Sequence, residues 1–182
     1  MSKRPFIVSL GLLLSLISAG ALYAEDGDHD FKARRGTVRC GGSNFLRLSG
    51  TEVQFATYLF RNFSSTTPIT VERLLFFDAT GSVLFDSNSS GFPPFTNGVL
   101  GPVDQELDPN QSAQLDTVPL LPFLPETQRP IQLEISWSAP ERVLPLDVTT
   151  IRLARQRDPV TFLQGPERSR DHSDCKTISL RR

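Results

Sequence analysis

The side chains best suited to chemistry are two histidines and two cysteines, and their spacing limits what they could do. His172 and Cys175 stand in a His-x-x-Cys arrangement within Arg168-Ser-Arg-Asp-His-Ser-Asp-Cys175. A neutral imidazole and a thiolate at that spacing could ligate copper or zinc. The option disappears if Cys175 is oxidised, and the only methionine is the initiator, so no soft thioether is at hand. Asp26, Asp28, His29 and Asp30 form a short acidic cluster. It lacks the glycine and terminal glutamate of a calcium loop and reads as a solvated tail. Acid–base or nucleophilic catalysis needs several groups converging in one pocket. His29 lies in the acidic tail, His172 lies in a polar stretch, and there is no Gly-x-Ser-x-Gly and no phosphate loop. The expectation is therefore a non-enzymatic protein without a catalytic residue or cofactor, with His172 and Cys175 as the alternative metal ligands.

The elements that would position such groups begin after an export signal. Lys3 and Arg4 precede an apolar run from Phe6 to Ile17, and small residues follow up to Ala24. This is the layout of a cleaved signal peptide over residues 1–24, with Ala21 as a second candidate cleavage point. The apolar run is too short for a spanning helix, which needs about 20 residues, and no later stretch approaches that length. The chain is expected in the periplasm or outside the cell, with no transmembrane span after cleavage. In an oxidising compartment an isolated cysteine pair forms a disulfide, so Cys40 and Cys175 are expected to join a first strand to a last one. Without residues 1–24 the chain carries 17 basic and 20 acidic side chains. That balance argues against nucleic-acid binding, which needs a basic face. Eight basic and four acidic residues collect between Arg152 and Arg182, which reads as a solvated rim.

Residues 25–35 have almost no apolar content and are expected to form a flexible tail ahead of a domain over residues 36–182. Strand-like segments follow at Thr37–Cys40, Asn44–Leu48, Thr51–Asn62, Ile69–Phe77, Val83–Asp86 and Ala113–Val118. Ile131 to Ser138 alternates, with Ile131, Leu133, Ile135 and Trp137 on one face and Gln132, Glu134, Ser136 and Ser138 on the other. Leu146–Leu153, Val160–Leu163 and Cys175–Leu180 complete the series. Asp78-Ala-Thr-Gly81 and Asp108-Pro-Asn-Gln111 are turn signals. No amphipathic helix is evident. The pattern predicts an all-β chain, an immunoglobulin-like β-sandwich of roughly eight strands, with a jelly roll as the alternative.

Two loops are long, Ser87–Gly98 and Pro119–Pro125. Their Phe92, Phe95, Phe123 and Leu124 are the candidate anchors of a partner-binding patch. The competing reading has the same residues folding back to cap the core.

Residues 52–153 resemble a group of short exported bacterial proteins known only as a domain of unknown function. The resemblance rests on Tyr58-Leu-Phe-Arg-Asn62, Pro68-Ile-Thr-Val71, Phe77-Asp-Ala-Thr-Gly81, Ile131-Gln-Leu-Glu-Ile-Ser-Trp137 and Pro145-Leu-Asp-Val148. It implies a secreted sandwich and carries over no catalytic or binding residue. Together these features predict an exported binding or structural module of the bacterial envelope, whose partner is another envelope protein or a cell-surface component. A small periplasmic metal-handling protein is the alternative.

Overall fold

The computed structural model describes residues 32–41, 46–48, 52–116, 132–158, 160 and 164–182. Two antiparallel sheets pack face to face as a β-sandwich. The first contains β1 (Ala33–Cys40), β4 (Ile69–Phe77), β5 (Val83–Asp86), β6 (Glu106–Leu107), β8 (Gln132–Val143) and β11 (Lys176–Arg181). Its strand order is β11-β1-β8-β4-β5, with β6 also paired to β4. The second contains β2 (Leu46–Leu48), β3 (Glu52–Arg61), β7 (Ser112–Asp116), β9 (Asp147–Arg157) and β10 (Gln164–Asp174). Its order is β10-β9-β3-β2, with β7 on β3. One short helix, α1 (Ser87–Ser90), follows β5.

Alternation builds the core. On β8, Leu133, Ile135 and Trp137 are buried between the sheets, and Gln132, Glu134 and Ser136 face the other way. Ile131 lies outside the described residues. On β3, Ala56, Tyr58 and Phe60 alternate in the same manner. β4 departs from strict alternation, because Ile69 and Val71 are buried and the next inward pair is Leu74 and Phe76. A register shift between Val71 and Arg73 supplies the extra residue, Glu72. A bulge of this kind re-aims every side chain beyond it. Tyr58 and Phe85 each pack edge-on to Phe76, at 6.1 and 5.8 Å between ring centres.

Asn62, at the end of β3, is buried and ties three segments together. Its amide nitrogen donates to the carbonyls of Thr67 at 2.9 Å, Leu107 at 2.9 Å and Asp108 at 3.2 Å, and its oxygen accepts from Ser64 N–H at 2.9 Å. A buried amide so satisfied fixes the geometry of the turns around it.

The observed elements correct several expectations. The tail does not extend to residue 35, since β1 begins at Ala33, whose side chain is fully buried. Residues 25–31 and the signal segment lie outside the described residues. Eleven strands are present among the described residues, against the roughly eight expected. The two-residue β6 is too short to leave a pattern. β10 occupies the polar stretch around His172 and is an edge strand whose side chains are polar apart from Gly165 and Pro166. Pro166 lacks a ladder N–H and is accommodated by the register shift between Gln164 and Glu167. Val160 was expected in a strand and instead sits exposed in a turn.

Candidate functional site

The expected disulfide is present. Cys40 closes β1 and Cys175 lies between β10 and β11, with 4.4 Å between their Cα atoms. That separation is within the usual range for a bridged pair. Cys175 N–H donates to Val148 O at 2.9 Å, which anchors the crossing from the second sheet to the first. The bond therefore joins β1 to the crossover itself, and β11 then runs antiparallel beside β1. The sulfur of Cys175 is consumed, so His172 and Cys175 do not form a metal site. His172 is exposed on β10, opposite Ile151. Among the described residues no group of three or more His, Cys, Asp or Glu is placed to hold a metal ion. No helix among them is long and apolar enough to cross a membrane.

The loop after β5 does not present its aromatic residues to solvent. Asp86 caps α1 by accepting from Asn88 N–H at 3.0 Å. The chain then turns inward, and Phe92 and Phe95 are 6% and 3% exposed within the core. Their rings stack at 5.8 Å, and Phe95 meets Phe60 edge-on at 5.0 Å. Phe95 N–H donates to Leu100 O at 3.0 Å, and Thr96 N–H to Gln114 O at 2.7 Å. Gly98, at φ 71°, makes the tight return that a side chain would disfavour. Phe92 and Phe95 are thus core residues and not partner anchors, because this loop covers one end of the sandwich. Phe123 and Leu124 lie outside the described residues.

A site that sequence reading missed lies on the first sheet, on the face turned away from the core. Register places Trp137 between Gly36 and Val71, and puts Arg35 and Thr37 on the opposite face. There Arg35 is directly across from Arg181, and Thr37 lies between Ser136 and Ser179. With Glu72 from the β4 bulge, these residues line a cleft of about 240 Å³ that also touches Gly36 and Trp137. Beneath it the Trp137 indole packs so closely that a Cβ on Gly36 would fall 2.6 Å from Nε1. That indole N–H is buried with no hydrogen-bond partner among the described residues.

Two other arginines of this face are neutralised. Arg39 pairs with Glu134 and lies over the Phe77 ring. Arg73 makes a two-pronged bond to Asp86, at 2.9 and 2.5 Å. The hydrogen bonds from Arg73 hold the Asp86 carboxyl below the usual carboxylate range, and Asp86 raises the guanidinium in return. Arg35 and Arg181 have no ion-pair partner among the described residues. No signal along the chain announces this cleft, because its walls come from both ends of the sequence and meet only through strand register.

No family model matches the chain, and no curated protein or solved structure is significantly similar to it.

Proposed function

We propose that the protein is an exported, non-enzymatic binding or structural module of the bacterial envelope, with another envelope protein or a cell-surface component as its partner. One observation carries the reading, the Cys40–Cys175 disulfide, which persists in oxidising compartments and is rare in the reducing cytosol. The signal-like composition of residues 1–24 points the same way. The immunoglobulin-like topology belongs to this proposal, supported by two antiparallel sheets that share one core. The metal-handling alternative loses its sulfur ligand to the disulfide.

The test has two stages. Fractionation of cells expressing the full chain should recover a product outside the cytoplasm that begins near Glu25. Immobilised oxidised protein should then retain a partner from envelope extracts that the reduced and alkylated protein does not. An uncleaved chain confined to the cytoplasm would end the export reading. Equal retention by both forms would end the claim that the folded module does the binding.

A further inference from the structure

Two facing arginines with no ion pair among the described residues give the binding module a specific chemistry, and we infer that the Arg35–Arg181 cleft holds a phosphate or carboxylate group carried on a sugar or other polyol. The inference deepens the proposed binding role and rests on it. Like charges placed directly across two strands destabilise the pair, yet Arg35 and Arg181 face each other with no acid bonded to either among the described residues. The same face shows that acids are available when the fold neutralises its cations, as Glu134 does for Arg39 and Asp86 for Arg73. Planar guanidinium groups suit phosphate and carboxylate, which they grip with parallel N–H donors.

The rest of the lining fits the body of such a ligand. Thr37, Ser136 and Ser179 supply hydroxyls that both donate and accept. Glu72 can only accept when ionised, so it repels a bare anion and favours a ligand that brings hydroxyl donors beside its anion. The cleft, at about 240 Å³, is sized for a small polar group and not for an extended chain. The disulfide at Cys40 fastens β1 to the crossover that leads into β11, so the register that sets Arg35 across from Arg181 is held without a ligand. A site held in place before binding loses less entropy when it is filled.

The experiment is isothermal titration of the oxidised protein with glucose 6-phosphate, glucuronate, inorganic phosphate and glucose at matched ionic strength. Glucose 6-phosphate or glucuronate should bind, whichever anion the natural ligand carries, and glucose should not. Arg181→Gln should weaken that binding by at least about tenfold, the effect expected for one lost charged hydrogen bond. Glu72→Gln should tighten inorganic phosphate while reducing the advantage of glucose 6-phosphate over it. Arg35→Gln and Arg181→Gln should melt no lower than the native protein, which shows that the losses are not unfolding. Absence of binding by both anionic sugars, or binding that survives Arg35→Gln together with Arg181→Gln, would overturn the assignment. Export and partner capture are read separately, so an empty cleft leaves the module reading intact, and a failed export test does not alter the titration.

Discussion

The two faces of the first sheet are built from the same strands and obey different rules. Across β1, β8 and β4 the inward row is Gly36, Trp137 and Val71, and neighbouring outward rows hold Arg35 with Arg181 and Thr37 with Ser136. Inward, the side chains are fixed by volume, to the point that Gly36 has no room for a methyl group. Outward, they are set by charge, and the pairing is uneven. Arg39 and Arg73 have acids, while Arg35 and Arg181 have none among the described residues. The difference teaches that a row with spare volume and unbalanced charge is where binding chemistry belongs, since packing imposes neither feature.

The comparison is broken most forcefully on the inward side. Trp137→Ala should cost about 3–5 kcal/mol in urea unfolding, since the ring is 1% exposed. Phe95→Ala should fall in the same range, because its ring is packed on Phe60 and Phe92. A loss below about 1 kcal/mol for Phe95→Ala would return that residue to the surface, as the partner-anchor reading has it. Next in size is Gly36→Ala, which should destabilise by about 1–3 kcal/mol through overpacking against the indole. A neutral result would mean that the indole shifts freely, and the inward row would then not be fixed by volume.

Outward substitutions should be smaller. A double-mutant cycle on Arg39 and Glu134 should give about 0.2–1 kcal/mol, because the pair is partly solvated. Asp86 should show itself through pH. Its folded-state value lies below the unfolded one, so its contribution is complete above about pH 4 and is lost as pH falls through the lowered value. The melting difference between native protein and Asp86→Asn should therefore shrink on acidification. A difference that grows in acid would reverse the assigned direction.

How legible this was depends on the element. β8 announced both its strand and its buried face, because period-two alternation survives wherever one side of a strand is dry. β4 gave its limits correctly but not its bulge, since Glu72 differs from its neighbours only through pairing. β10 left no signal, because an edge strand exposed on both faces needs no apolar residue. Phe92 and Phe95 fit either a partner-binding patch or a cap on the core from sequence, for a proline-rich aromatic loop has the same composition whether it covers a core or a partner, and their burial decides for the core. Asn62 gave no hint of the three carbonyls it binds. The cleft was invisible for a related reason: Arg35 and Arg181 come from opposite ends of the chain, and only the β1–β11 register makes them neighbours. The cysteine pair was legible because the chain has only two cysteines, so each has one simple partner.

That pair also holds the two faces in place, since it fastens β1 to the crossover that delivers β11. In the chain-entropy account, closing a loop across 135 residues stabilises the fold by about 5 kcal/mol. Thiol titration of the unreduced native protein in denaturant is the most direct test of the account. It should find no reactive thiol before reduction and two afterwards, whereas two thiols before reduction would contradict the disulfide and the export reading that rests on it.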